Sequence, residues 1–359
     1  MRVGALLLVL ACAVPAGQPS FYVEAPPSSE ESYCAWFADT SETVLYFGEA
    51  AFWSEMRRTG SPEGERERKG PVRIGRFDLL QRRLLEPLTI AASEESGTWD
   101  VLAHPNGRVY FTTFFGRAGF VEPATGEVMR FGAETLGLNE LALGPEARVL
   151  ATRYGSSRGD GGAIVVLDPD GALVAELPLD PPAGYRVAAK SVAWDPGRAE
   201  IWVNTDLLPE AGGPILHDAR VLDAEGRERL RFDVPELHFM LFREDGTGYL
   251  AVVEGEVLSL AVLPPSRRAA LAEARRWVLD EAFPSDYDFV QDLRETPDGG
   301  VLATRWSGRT HRLRGTELRS YALPRPHPNG LYYTGVIAAD HLCATFCGES
   351  TVVCRRIDS

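Results

Sequence analysis

Trp99-Asp100-Val101-Leu102-Ala103-His104-Pro105-Asn106-Gly107-Arg108-Val109-Tyr110-Phe111-Thr112 is the stretch that decides the fold, because it returns in altered form further along the chain. One return is Asn139-Glu140-Leu141-Ala142-Leu143-Gly144-Pro145 followed by Arg148-Val149-Leu150-Ala151-Thr152. Another is Gln291-Asp292-Leu293-Arg294-Glu295-Thr296-Pro297-Asp298-Gly299-Gly300-Val301-Leu302-Ala303-Thr304. Each copy reads as a short apolar strand, a Pro/Gly turn and a second apolar strand. A unit of roughly 40–50 residues built from such hairpins marks a β-propeller blade. The expected fold is all-β: a single closed propeller of four-stranded blades.

Blades fall at about 32–90, 98–131, 138–179, 187–234, 237–279 and 288–323, and a last copy, Tyr333–Ile357, supplies three strands. Phe21-Tyr22-Val23-Glu24 can supply the missing strand, so that both ends of the chain share one sheet and the ring has no open edge. The count is seven, with six as the alternative. Two segments depart from the repeat. Ser54–Pro71, centred on Glu65-Arg66-Glu67-Arg68-Lys69, reads as a solvated loop of the first blade. Ser266–Leu279 is rich in Ala, Leu, Arg and Glu behind a capping Ser266, and reads as a short inserted helix.

The chain has 359 residues, 45% of them hydrophobic, and a formal net charge of -14. An acidic surface repels phosphate backbones, which argues against nucleic acid as a partner. Met1 to about Ala16 has a charged start at Arg2, an apolar stretch over Val3–Val14 and a small-residue site at Val14-Pro15-Ala16. That is the pattern of a secretory signal peptide, with the propeller occupying 17–359. A lipoprotein leader ending before Cys12 is the alternative. The apolar run is too short to span a bilayer, and no later segment is a membrane anchor. The expectation is a secreted or periplasmic monomer, or else a lipoprotein anchored through Cys12.

Four cysteines remain beyond Cys12: Cys34, Cys343, Cys347 and Cys354. In an oxidising compartment they are disulfide candidates, and a bridge from Cys34 to the C-terminal segment would clasp the ring. Their spacing lacks the paired CxxC of a zinc module.

Aligning the copies on their prolines puts Asp100, Glu140, Ser191 and Asp292 at equivalent positions, each five residues before a Pro. His238 and Gln291 fall nearby in their own blades. The second strands end in Thr113, Arg153, Thr205 and Arg305, followed by Phe114, Tyr154, Asp206 and Trp306; Glu49 and Glu254 end theirs at similar depth. A channel mouth so lined has carboxylates for a hard cation such as Ca2+ or Mg2+, with Asp100, Glu140 and Asp292 as metal ligands. Arg153 and Arg305 suit an anionic group, beside Tyr154, Trp306 and Asp206 as further ligand-binding candidates. The bland reading gives the same carboxylates to backbone amides of neighbouring blades, His238 to the packed core and His327 to a loop. No GxSxG elbow, HExxH helix, P-loop or dinucleotide fingerprint occurs.

Val109-Tyr110-Phe111-Thr112-Thr113-Phe114, followed by Gly119-Phe120-Val121-Glu122-Pro123-Ala124-Thr125-Gly126-Glu127, resembles blades of the virginiamycin B lyase and gluconolactonase-like propellers. The resemblance implies a divalent metal at the top of the channel with lyase or lactonase chemistry. Gluconolactonases open the first inner strand with a metal-binding Glu. Here the opening is Ser32-Tyr33-Cys34-Ala35, so that site does not carry over, and the lyase's paired His and Glu have no counterpart in the sixth blade. Two functions follow. One is a non-enzymatic extracytoplasmic propeller binding a protein or small ligand on its channel face. The other is a metal-dependent lactonase-like hydrolase or lyase, with His238 as the catalytic proton shuttle.

Overall fold

The computed structural model describes residues 20–23, 34–50, 70–94, 97–113, 116–154, 162–234, 236–265, 274–283, 288–326, 330–347 and 351–357. The expected leader with Cys12, the solvated loop up to residue 69, Phe114 and His327 lie outside them. No helix among the described residues is long and apolar enough to cross a membrane.

β1 (Ser20–Val23) leads into seven antiparallel blades. Blade 1 holds β2 (Cys34–Ser41), β3 (Val44–Ala50), β4 (Gly70–Asp78) and β5 (Arg83–Glu94). Blade 2 holds β6 (Thr98–Ala103), β7 (Val109–Thr113), β8 (Gly119–Val121) and β9 (Val128–Arg130). Blade 3 holds β10 (Leu138–Leu143), β11 (Val149–Arg153), β12 (Ala163–Leu167) and β13 (Leu173–Pro178). Blade 4 holds β14 (Tyr185–Asp195), β15 (Glu200–Pro209), β16 (Leu216–Asp223) and β17 (Glu228–Asp233). Blade 5 holds β18 (Glu236–Phe242), β19 (Gly248–Glu254), β20 (Val257–Leu263) and β21 (Arg275–Asp280). Blade 6 holds β22 (Val290–Glu295), β23 (Val301–Arg305), β24 (Arg309–Arg314) and β25 (Glu317–Ala322). Blade 7 holds β26 (Leu331–Ala338), β27 (His341–Cys347) and β28 (Thr351–Arg356), and β1 completes it by pairing with β28.

The two ends therefore close the ring in one sheet, as the sequence leads one to expect. Cys343 and Cys354, opposite each other on β27 and β28, form a disulfide. Cys347 is disulfide-bonded too, and the residue facing it across the short β2–β27 pairing is Cys34.

One expectation fails. Arg275–Leu279, read as helix, lies in β21, the outer strand of blade 5. Helix propensity loses there to the ladder with β20, since a blade without its outer strand leaves an apolar edge unpaired. Residues 266–273, the rest of that segment, lie outside the described residues.

A propeller is stable because each blade buries both faces against its neighbours. Apolar clusters fill every junction of the ring: Phe47 and Val352 between blades 1 and 7, Ile74 and Phe111 between 1 and 2, Tyr110 and Leu138 between 2 and 3. Leu150 meets Val187, Trp202 meets Leu237, Leu260 meets Val290, and Leu302 meets Tyr332 at the remaining four. The near-continuous Val, Leu and Ala runs of the second strands suit this burial on both faces.

Candidate functional site: the central channel

Each innermost strand carries a β-bulge at the same depth. The register slips between Ala35 and Ala38, Thr98 and Val101, Leu138 and Leu141, and Ala189 and Ser191. It slips again between Leu237 and Met240, Val290 and Asp292, and Tyr332 and Gly335. Bulges bend a strand and re-aim its side chains. Seven in register place residues at two levels on the channel side of the inner strands, and those of the lower level line the channel cavity. The upper ring, nearer the start of the inner strands, is Trp36, Trp99, Asn139, Lys190, His238, Gln291 and Tyr333. The lower ring is Phe37, Asp100, Glu140, Ser191, Phe239, Asp292 and Thr334. The four residues aligned from sequence all stand in the lower ring, and His238 and Gln291 stand in the upper one.

The recurring Thr of the second strand explains why the bulges stay in register. Thr112 Oγ1 accepts from Asp100 N and donates to Asn139 O of the next blade at 2.6 Å. Thr345 Oγ1 accepts from Thr334 N and donates to Trp36 O at 2.8 Å, and Asn204 Nδ2 donates to Leu237 O at 2.6 Å. A bulge leaves backbone groups unpaired, and these side chains satisfy them across the junctions.

Aromatic rings cluster across the channel at this level. Phe37 packs on Trp99 at 5.5 Å, Tyr333 at 5.3 Å and Phe239 at 6.0 Å between centroids. Below this roof a cavity of about 910 Å³ runs to the turns that join first and second strands. Asp100, Glu140, Ser191, Asp292, Asp39 and Arg294 line it, among walls that include Leu141, Val192, Met240 and Ile337.

The polar groups in the cavity differ sharply in how they are satisfied. Asp100 is buried; its Oδ2 accepts from Leu141 N at 2.7 Å and its Oδ1 from Val101 N at 2.8 Å. Asp292 Oδ2 accepts from Arg294 Nε at 2.7 Å, and Arg294 Nη1 reaches Asp39 Oδ1 at 2.5 Å. Asp39 Oδ2 also accepts from Ala103 N. Glu140 is bonded only through its backbone N–H, to Thr152 Oγ1; its carboxylate has no hydrogen-bond or ion-pair partner among the described residues. Ser191 Oγ, buried beside it in the ring, has none either.

Burial pushes Asp100 up to about 7 and Asp292 up to about 6, the latter against the pull of Arg294. Burial, and then the charges of Asp100 and Asp292, hold Glu140 well above the usual carboxylate range despite Lys190. As donors for a divalent ion these carboxylates do not fit. Asp100 is spent on amides and Asp292 on a guanidinium fixed in their midst. Among the described residues no three His, Cys, Asp or Glu side chains converge on one point.

The remaining candidates stand above the roof. Arg153, at the end of β11, binds Glu176 and the Glu134 carbonyl. Arg305 is fully buried, held by Asp280 and Asp288 at 2.8 Å each, so both arginines are paired with protein groups, while Arg153 Nε has no hydrogen-bond partner among the described residues. Trp306 packs on Phe289. His238 is buried, its Nδ1 accepts from Val290 N at 3.1 Å, and its Nε2 lies 3.3 Å from Glu236 Oε1. Burial lowers its pKa, so the ring is neutral, with its proton on Nε2 facing Glu236.

Asp206 finds different company. His217 Nδ1 donates to Asp206 Oδ1 at 2.8 Å, and Lys190 Nζ lies 3.5 Å from the same oxygen. Tyr154 stands near enough for the Asp206 charge, after burial, to raise its pKa. Glu49 pairs with Arg73 and Glu254 with Arg276. Sequence reasoning missed Asp39, Arg294, His217, Lys190 and Glu236. It also missed Phe37, Phe239 and Thr334, whose blades lack the turn proline used for alignment. The signal was the spacing: Glu42, Glu244 and Ala339 sit five residues after them, where the other blades have Pro.

No family model matches the chain, and no curated protein matches it in sequence. Solved structures do match in shape. Virginiamycin B lyase from Staphylococcus aureus, in a catalytically inactive histidine-to-alanine form with quinupristin, superimposes with a TM-score of 0.62. It is 9% identical, over 95% of this chain and 100% of that one. A streptogramin B lyase gives a TM-score of 0.61 at 12% identity, over 94% and 98%. The WD40 domain of Neurospora crassa Pan2 gives 0.57 at 10% identity, over 91% and 90%. Lyases and a WD40 domain match almost equally well, so what these likenesses establish for this chain is the β-propeller fold.

Proposed function

We propose that this chain is an extracytoplasmic β-propeller that binds a small ligand in its channel and does not alter it chemically. The observation that carries the reading is the cavity: about 910 Å³, with Phe37 and Phe239 at its top and lined by apolar walls with a few polar groups. Small-molecule sites have that size and make-up. A small ligand is preferred to a protein partner because half of the exposed large apolar side chains among the described residues are spread over the outer strands of four different blades. Met129, Leu173, Leu230 and Val278 each belong to a separate blade. The Cys343–Cys354 disulfide supports export. His238 argues against catalysis at the residue first suspected, since both ring nitrogens face protein groups.

Affinity-selection mass spectrometry of the mature protein against a mixed small-molecule library tests this. A compound retained unchanged by the wild type and lost from Ala142→Trp, which fills the cavity, supports it. Retention by neither protein, or chemical conversion of the retained compound, contradicts it.

A second reading, a hydrolase or lyase, is favoured by one specific arrangement. Asp206 fixes the His217 tautomer, leaving His217 Nε2 without a partner among the described residues, beside Lys190 and Tyr154. A carboxylate-oriented imidazole with a free nitrogen is the geometry of a general base. Lactone hydrolysis lost in His217→Ala and kept in His238→Gln would establish that reading; no turnover by the wild type would remove it.

A further inference from the structure

We propose that the channel cavity is built for an organic ammonium ion with an apolar body, its nitrogen seated under the Phe37–Phe239 roof between Glu140 and Ser191. This rests on reading the cavity as a ligand site and adds the class of ligand.

The polar groups set the class. Arg294, the cation on the cavity wall nearest the ring, is already shared by Asp292 and Asp39. Asp100 is spent on the amides of Val101 and Leu141. That leaves Glu140, half-buried, as a carboxyl group without a counter-ion among the described residues, and its ionised form is costly there unless a cation meets it. Ser191 Oγ, 3% exposed and without a partner, is the next residue round the ring and offers an acceptor to an N–H. Phe37 and Phe239 add two π-systems at the same level, and ring faces attract ammonium groups. Towards the lower rim Glu42, Glu244 and Glu295 face the cavity, with Arg243 bound to Glu295 at 3.1 Å. The entrance thus favours cations and repels anions.

The walls set the rest of the ligand. Between the ring and the rim they are made of Leu, Val, Met and Ile side chains, and a bare inorganic cation leaves that surface uncovered. An alkyl or aryl chain attached to the nitrogen covers it, pointing down the channel. A neutral isostere gains the same apolar contact and leaves Glu140 unpaired. A carboxylate of the same length meets like charge.

Calorimetric titration of the mature protein with octylammonium, octan-1-ol, octanoate and Ca2+ separates the possibilities. Octylammonium is expected to bind about tenfold more tightly than octan-1-ol, with octanoate and Ca2+ weaker still. Glu140→Gln is expected to remove most of that preference, and Ser191→Ala a smaller part. Neither side chain has a partner among the described residues, so both variants should fold, and near-ultraviolet dichroism checks that they do. If octan-1-ol or octanoate binds as well as octylammonium and Ala142→Trp abolishes it, the ammonium assignment is overturned and the cavity remains a ligand site. If no probe binds the wild type, both are overturned. Octylammonium binding unchanged in Ala142→Trp or in Glu140→Gln places its site elsewhere and also overturns the proposal.

Discussion

Phe37 on blade 1 and Phe239 on blade 5 meet across the channel axis with 6.0 Å between ring centroids. Those blades face each other over the ring, so one aromatic pair spans the channel at the top of the cavity. Trp36, Trp99 and Tyr333 pack around Phe37 and fix the roof to blades 7, 1 and 2. Phe37→Ala is expected to destabilise the protein by about 3 kcal/mol, the usual cost of a deleted buried phenyl group. Phe239, only half-buried, should cost less. Thermal unfolding followed by near-ultraviolet dichroism reads both, and equal melting temperatures for wild type and Phe37→Ala would mean that the roof is not packed as described.

Asp100 and Glu140 are neighbours in one ring with opposite duties. Asp100→Asn replaces an acceptor of Leu141 N or Val101 N by an NH2 group, and should cost about 1–3 kcal/mol. Glu140→Gln replaces a half-buried carboxyl group that has no partner among the described residues, and should be neutral or stabilising in the absence of ligand. Urea midpoints of the two variants check the contrast; the reverse order would contradict the division of roles.

The same carboxylates give stability a pH dependence of known sign. Burial raises the folded-state pKa of Asp100 to about 7 and that of Glu140 well above normal. Such groups hold protons in the native state that the unfolded chain has released. Their contribution is therefore fully present below the unfolded pKa of about 4 and is lost as pH rises through the folded pKa. His238 and His311, both lowered by burial, act in the opposite sense below about pH 6.5, so wild-type curves alone mix the two effects. The difference in melting temperature between Glu140→Gln and wild type isolates the carboxylate. It should be near zero at about pH 5 and favour the variant at about pH 8. A difference that does not change with pH would mean that Glu140 ionises normally.

The Cys343–Cys354 bridge joins β27 to β28, the strand on which β1 docks. Closing a loop of that sequence separation, 11 residues, restricts the unfolded chain, and the Cys343→Ser, Cys354→Ser double variant should lose about 3 kcal/mol. Limited proteolysis should then cut first at the N-terminal strand, because the blade it completes has loosened. Unchanged protease resistance would show that ring closure does not depend on the bridge.

How much of this could be read from the chain depends on local punctuation. Pro105, Pro145, Pro196 and Pro297 mark the turn after the inner strand, and counting back from them finds Asp100, Glu140, Ser191 and Asp292 correctly. Blades 1, 5 and 7 turn without proline, so their ring members stayed hidden, and with them the aromatic roof. The N-terminal strand was legible because blade 7 lacks a fourth strand of its own. Arg275–Leu279 misled because its composition favours helix while its place in blade 5 requires a strand. The pairing of Arg294 with Asp39, 255 residues apart, has no sequence signal. That contact exists only once blades 1 and 6 face the same channel.

The most direct test of a ligand-binding channel is a crystal structure of the protein soaked with octylammonium. The expected result is density below the Phe37–Phe239 pair, with the nitrogen beside Glu140 and Ser191 and the chain running towards the lower rim. A ligand found instead above the roof, beside His217 and Asp206, or an empty cavity at saturating concentration, would contradict it.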